Sequence, residues 1–328
     1  MFILLLIVIA VLVFGFVFFK LSFRNNGKII YGVTFSQIFA EELGLDWQKT
    51  YLAALDELNI KNIRLATYWN KIEKNQGDYD FSDVDWQIAE AAKRDAKIIL
   101  TIGQRTPRWP ECFIPDWANN FTKEQREQAV LSYLKTMVNR YKDRLNIIAW
   151  QVENEPLLSL FGECPETDFA FYKKEVTLVK SLDARPVMTT DSGELSLWLR
   201  TAQVADILGT SIYRSTYNNW WGYFYYPYPP AFYQWHARVI KFFYPHLKKV
   251  IVSEFQFEPW ARIDMVDLDI NEQYKSFDLK RFENSLKFIK RSGFDEVYLW
   301  GVEWWYWLKE EKGISDFWEK AREIWENP

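Results

Sequence analysis

From residue 28 onward the chain alternates between two kinds of block. Short apolar runs, rich in Val, Ile, Leu and aromatics, begin at Lys28 (KIIYGVTF), Asn62 (NIRLATYW), Ala96 (AKIILTIG) and Asn146 (NIIAWQVENE). Four more begin at Pro186 (PVMTT), Asp206 (DILGTSIY), Val250 (VIVSEF) and Glu296 (EVYLWGVE). They lack strict in-out alternation, as parallel strands buried on both faces do. Between them lie stretches with apolar residues at helical spacing: 46–58, 81–94, 122–141, 169–182, 233–247, 271–291 and 314–325, with a short one at 195–201. The stretch from Phe81 opens with Ser82 and has Asp85 three residues on. Thr122-Lys123-Glu124-Gln125 has a capping-box pattern. Strands and helices in strict alternation predict a (β/α)8 TIM barrel. A doubly wound open sheet is the alternative. It would usually carry a Gly-rich phosphate loop after an early strand, and the first turn, Gly32 followed by Thr34-Phe35-Ser36, supplies none.

Residues 1–19 are apolar throughout and carry no side-chain charge. That length nearly matches a bilayer core of roughly 30 Å at 1.5 Å per residue. A long run without a small-x-small cleavage site reads as an uncleaved anchor over 1–20 rather than a removed signal. A short linker, 21–27, then leads to a single domain over 28–328. Lys20, Arg24 and Lys28 follow the span, which by the positive-inside rule favours a cytoplasmic domain. A substrate that lies outside the cell would favour an extracytoplasmic one, and that is the reading adopted. Cys112 and Cys164 fall in loops after the third and fourth strands. They are either bridged, as an exported protein allows, or two unrelated thiols.

Composition narrows the functional classes. The 328 residues are 49% hydrophobic with a net charge of −4, and no Lys/Arg block stands out. Nucleic acid is therefore not the partner. The only two histidines, His236 and His246, fall in one predicted helix. Neither a His-rich metal site nor a Ser-His-Asp triad is readily built from them. The 18% aromatic content includes 17 Trp. A core does not need so many indoles, since each N–H requires a partner. Flat aromatic faces do suit the apolar faces of sugar rings.

In a barrel, reactive groups come from the C-terminal strand ends. Reading each strand to its end gives Arg64 on the second, Gln104 after the third and Asn154-Glu155 on the fourth. Tyr213, Glu254 and Trp300 follow on the sixth, seventh and eighth. Two glutamates at the ends of different strands form the pair that glycoside hydrolysis needs. One protonates the leaving oxygen and the other attacks the anomeric carbon. An Arg and a Tyr beside the second would hold it ionised and oriented. An Asn beside the first could bond the sugar 2-hydroxyl.

Asn154-Glu155-Pro156 after the fourth strand, with Glu254 on the seventh, resembles clan A glycoside hydrolases. The resemblance covers nearly the whole chain from residue 28. The segment from Trp69 through Ile72-Glu73, Gly77, Tyr79-Asp80 and Phe81-Ser82 is similar to the clan's "W..IEP..G.YDFS" stretch. The segment Gly103-Gln104-Arg105-Thr106-Pro107-Arg108-Trp109 is similar to its "P.W". The resemblance implies Glu155 as acid/base, Glu254 as nucleophile and Asn154 as the 2-hydroxyl contact. It further implies Arg64 and Tyr213 as nucleophile partners, Trp300 as the floor of a sugar subsite, retention of configuration and no cofactor or metal. Trp69, Trp109, Gln104 and Trp304 complete the expected carbohydrate contacts. The chain departs from family 5, where a His usually stands two residues before the sixth-strand Tyr. Here that position is Ser211, and relatives of families 5, 39 and 42 stay open.

Other carboxylates compete for these roles. Glu153 should point inward one layer deeper than Glu155, or pair with a Lys or Arg. Glu258 reads as a loop group, and Glu303 as a sugar contact or a salt-bridge partner. The run from Asn218 to Tyr226 is either a wall of sugar-stacking rings or a hydrophobic loop on the barrel rim or membrane interface. Trp304, Trp305 and Trp307 share that ambiguity. The expected activity is a retaining β-glycosidase. The alternatives are a non-catalytic carbohydrate-binding barrel and a transglycosylase using the same two carboxylates.

Overall fold

The computed structural model describes Phe23, residues 28–218 and residues 220–326. The anchor expected over 1–20 lies outside the described residues. Among the described residues, no helix is long and apolar enough to cross a membrane.

The strands are β1 (Ile30–Phe35), β2 (Asn62–Ala66), β3 (Lys97–Ile102), β4 (Ile147–Val152), β5 (Val187–Ser192), β6 (Ile207–Ile212), β7 (Ser215–Asn218), β8 (Gly222–Tyr225), β9 (Lys249–Gln256) and β10 (Glu296–Trp300). β7 and β8 form a separate antiparallel hairpin. The other eight strands close into a parallel barrel in chain order, with β10 pairing back onto β1. All eight predicted strands are therefore present, and the open-sheet alternative is excluded.

Alternation within each strand sorts the side chains. Ile98, Leu100 and Ile102 of β3 face the helices and join the large outer core. Ile99 faces inward with Ala149, Met188, Ile207, Ile251 and Tyr298, a separate apolar cluster within the barrel. Above that cluster the lining turns polar, with Arg64, Thr101, Gln151 and Thr190 all buried. By strict alternation Glu254 would share the outward direction of Val252. A register shift opposes this: Thr210 pairs with Val252, but Ser211 pairs with Glu254. The extra residue is a bulge that re-aims the carboxylate into the barrel mouth.

Most predicted helices form near their expected places, and local chemistry sets their ends. Thr122 and Gln125 make the reciprocal capping box at the start of Lys123–Tyr141. The helix Ser82–Lys93 is started by Asp80, whose Oδ1 accepts the Ser82 N–H, rather than by a Ser82 cap. The stretch 271–291 is two helices, Ile270–Ser276 and Leu279–Ser292. Asp278 breaks it by accepting the Arg281 N–H and capping the second. The stretch 233–247 begins earlier, at Pro230, and stops at Phe243. Pro245 disfavours helical geometry in the residue before it, so His246 falls outside that helix. The unforeseen helix Val302–Lys312 buries Trp304, Trp305 and Trp307. Cys112 and Cys164 are bonded, with Cα atoms 5.3 Å apart, and tie the loop after β3 to the loop after β4.

Candidate active site

The bulged strand β9 delivers Glu254, and two donors take its two oxygens. Arg64 Nη1 lies 2.6 Å from Oε1, and the Tyr213 hydroxyl donates to Oε2 at 3.0 Å. Burial, followed by the charges of Glu254, Glu258 and Glu155, raises the Tyr213 pKa well above its ordinary value, so the phenol keeps the proton it donates. Arg64 is completely buried. Its Nε donates to Gln151 Oε1 at 2.6 Å, and its Nη2 to Asn154 Oδ1 at 2.7 Å. One guanidinium thus sets the spacing between β9 and the loop after β4.

That loop is strained. Glu153 and Glu155 both have positive φ, 57° and 42°, on either side of Asn154. Such conformations cost of order 1–3 kcal/mol each and need support from surrounding bonds. Glu155 has it: its N–H donates to Thr190 Oγ1 at 2.9 Å, and Ser211 Oγ donates to its Oε1 at 2.7 Å. Burial raises the Glu155 pKa well above the usual carboxylate range. The charges of Glu254, Glu111 and Asp191 add to this, and the Ser211 bond opposes it. Asn154 sits between these groups, with Oδ1 on Arg64 and Nδ2 donating to Glu111 Oε2 at 2.9 Å.

Glu153 points into the protein beneath the mouth, but its partner is not a cation. Its carboxylate accepts the backbone N–H groups of Gln104 (3.0 Å) and Arg105. It also lies against Glu175, whose proton affinity burial and the Glu153 charge raise steeply. Those surroundings favour the protonated form of Glu175, and Glu153 is itself pushed up to about 7, chiefly by burial. A side chain at Gly103 would collide with this carboxylate, since a Cβ there would lie 2.3 Å from Glu153 Oε1.

The remaining expected contacts divide. Trp109 is 52% exposed, and its ring meets Phe161 edge-on at 5.6 Å. Phe161 leans on Trp260 at 5.7 Å, and Trp260 meets Tyr213 at 5.6 Å. An aromatic arc therefore runs from an exposed rim to the partner of Glu254. Trp300, at the end of β10, donates its N–H to Glu258 Oε1 at 2.8 Å and carries the Arg108 guanidinium 4.4 Å above its ring. Glu258 is thus a buried partner of Arg108 and Trp300 rather than a free loop group. Gln104 is buried, with its backbone amide spent on Glu153.

Two expectations fail. Trp69 is 0% exposed, bonded to Glu73 and stacked on Tyr133. Trp304 is equally buried, bonded to Gln273 and packed on Phe317. Both fill the core because their rings close gaps between helices, and no sugar reaches them. Trp305 and Trp307 are buried likewise, and Glu303 takes the salt-bridge role with Arg108 at 3.6 Å. The run from Asn218 to Tyr226 includes the turn and second strand of a hairpin, with Trp220 and Trp221 at its exposed tip.

The sequence did not point to Glu111, Glu194, Phe161 or Trp260. Glu111 follows Pro110 in the loop closed by Cys112, and burial pushes it up to about 7. Glu194 is pushed up to about 8 by burial, and accepts from the Tyr233 hydroxyl at 2.6 Å and the Tyr213 N–H at 3.1 Å. The only available signal was their place in loops after strands, which selects many residues. Among the described residues, no cluster of His, Cys, Asp or Glu has metal-binding geometry.

These observations define a (β/α)8 barrel with two carboxylates in contrasting surroundings at one mouth. The chain is similar to clan A glycoside hydrolases, and the model for cellulase (glycosyl hydrolase family 5) matches residues 30–188. Beta-galactosidase BgaA of Clostridium cellulovorans is 23% identical over 185 residues, which is 50% of this chain and 28% of that protein. Endo-1,4-beta-xylanase 3 of Hypocrea jecorina is 31% identical over 135 residues, 40% of this chain and 35% of that one. The matches thus span about a third of these curated relatives. Xylanase 10B from Thermotoga petrophila RKU-1, solved in complex with xylobiose, shares the fold with a TM-score of 0.55 and 15% identity, covering 84% of this chain and 82% of that one.

Proposed function

We propose that this protein is a retaining β-glycoside hydrolase acting outside the cytoplasm on a β-1,4-linked glycan. The observation that carries the reading is the contrast between its two carboxylates. Glu254 has an arginine countercharge on one oxygen and a phenol on the other. Glu155 lacks a cation, and burial with the nearby Glu254 charge favours its protonated form. A nucleophile and a general acid need those opposite surroundings.

In the first step Glu254 attacks the anomeric carbon while Glu155 passes its proton to the departing oxygen. Esterification removes the Glu254 charge, which lowers the proton affinity of Glu155. Glu155 then takes a proton from the incoming water, and the glycosyl ester is hydrolysed. Tyr213, freed from a charged partner, stays against the ester oxygen. Asn154, fixed by Arg64 and Glu111, presents its amide toward the sugar 2-hydroxyl. The Trp109–Phe161–Trp260 arc offers ring faces for further sugar units.

The substrate class rests on relatives named as xylanase, mannosidase and galactosidase. The disulfide supports an oxidising compartment. The test is product stereochemistry on an aryl β-glycoside, followed by proton NMR in wild type and in Glu254→Gln. A β-anomer formed first, with turnover lost in the variant, supports the reading. An α-anomer formed first, or full activity in Glu254→Gln, overturns it.

A further inference from the structure

A cavity of about 430 Å³ opens at the foot of the β7–β8 hairpin, between the end of β9 and the first turns of the helix Leu279–Ser292. That volume lies within the usual range for ligand pockets. Its charged lining is unbalanced: Arg214, Lys280 and Arg281 are cations, and Asp278 is the single anion. Asp278 is already engaged, pairing with Arg281 at 3.2 Å and capping the helix through the Arg281 N–H.

Arg214 is the informative residue. Its backbone is pinned, with the N–H donating to Gln256 Oε1 at 3.0 Å and the carbonyl accepting from Tyr226 at 2.9 Å. Its guanidinium lies 4.3 Å from the Phe288 ring centre and 4.9 Å from that of Tyr225. Nε is buried and has no hydrogen-bond partner among the described residues. Burial pushes its pKa down to about 10, and no carboxylate opposes that fall. A desolvated guanidinium without a counter-ion is costly, whereas a bound oxyanion would satisfy its planar fork of donors. Neither the carboxylate pair nor the aromatic arc uses this group. Yet the same loops build both places, since Arg214 follows Tyr213 and Gln256 lies two residues after Glu254.

We propose that this cavity is an anion subsite that takes the carboxylate, sulfate or phosphate group of an acidic glycan. The glycan half rests on the glycosidase reading above; the anion half does not. Arg214 supplies the bidentate contact, Lys280 and Arg281 supply charge, and Asn284 and Ser215 offer polar contacts to neighbouring hydroxyls.

The test is calorimetric binding to the full chain at low salt. The probes are glucuronate, glucose and inorganic sulfate, and the proteins are wild type, Arg214→Gln, Lys280→Gln and Glu254→Gln. Glucuronate is expected to bind wild type and Glu254→Gln alike, and glucose is not expected to bind. Arg214→Gln should weaken glucuronate tenfold or more, and Lys280→Gln about threefold. Lys280 is exposed, so its variant reports even if Arg214→Gln fails to fold. Sulfate binding as tightly as glucuronate overturns the glycan half. Absent binding, or affinities unchanged in both variants, overturns the whole proposal. Because the readout needs no turnover, an inactive wild type that still binds glucuronate would count against the glycosidase reading alone.

Discussion

Arg64 Nη1 stands 2.6 Å from Glu254 Oε1 across the barrel mouth, and the same guanidinium holds Asn154 with its other nitrogen at 2.7 Å. Arg64 is therefore both the countercharge of one candidate catalytic strand and the brace of the other. Lysine keeps the charge but not the fork. Arg64→Lys is expected to lower kcat by about 10²–10³ with a smaller change in KM, the scale for losing a preorganised donor. Arg64→Met should also destabilise the fold by about 3–5 kcal/mol, because it strands a buried carboxylate. Steady-state kinetics and urea unfolding of the two variants check this, and near-wild-type kcat in Arg64→Lys would refute it.

The Ser211 bond gives a signed pH prediction. Under the proposed function activity requires protonated Glu155, so kcat/KM should fall as pH rises through its pKa in the free enzyme. The Ser211 hydroxyl stabilises the carboxylate form and opposes the upward shift caused by burial and Glu254. Removing it raises the proton affinity further. Ser211→Ala should move the alkaline limb of the kcat/KM profile to higher pH, and a downward movement would contradict the acid role of Glu155.

Stability should also follow pH in a definite direction. Glu111, Glu153 and Glu303 are pushed up to about 7 and Glu194 to about 8, from a starting value of 4.5, each chiefly by burial. The folded state therefore holds more protons than the unfolded chain between pH 4.5 and 8, and stability falls as pH rises through that window. Thermal unfolding from pH 4.5 to 8 should show a declining midpoint. Glu194→Gln should flatten the decline, since an amide does not titrate. A midpoint that rises across the window would show that these groups ionise freely in the fold.

The disulfide closes a sequence separation of 52 residues, for which loop entropy suggests about 4 kcal/mol. Cys112→Ser with Cys164→Ser should lose about that much in chemical denaturation. It should also lower kcat, because Glu111, which fixes Asn154, adjoins Cys112. A double variant with unchanged kcat would mean that the loop holds Glu111 without the bridge.

What the sequence revealed has a physical logic. The eight barrel strands were legible because burial on both faces demands continuous apolar runs. Glu155 and Glu254 stood out because each ends such a run. The bulge that turns Glu254 inward has no sequence mark, and alternation alone would have aimed it at the helices. The helix Val302–Lys312 escaped notice because it is buried almost all round and shows little apolar-polar period. Glu111, Glu194 and Trp260 come from loops, whose paths no periodicity encodes. Composition counted tryptophans correctly but could not sort them, since a buried indole with a partner looks the same in sequence as one that meets a sugar.

That sorting yields a paired test. Trp304 is wholly enclosed, with its N–H on Gln273 and its ring on Phe317, whereas Trp109 is half exposed at the outer end of the arc that leads to Tyr213. Trp304→Ala should cost about 3–5 kcal/mol of stability, as expected for emptying a large core site. Trp109→Ala leaves no cavity and should stay within about 0.5 kcal/mol of wild type. Under the proposed function the kinetic effects reverse. Trp109→Ala removes a ring face that contacts sugar before and during reaction alike, so KM on an oligosaccharide should rise several-fold with kcat little changed. Trp304→Ala, assayed well below its melting temperature, should keep the wild-type KM. Unfolding curves and oligosaccharide kinetics on the same two proteins decide the matter. A raised KM in Trp304→Ala with none in Trp109→Ala would place the sugar-binding surface elsewhere on the barrel.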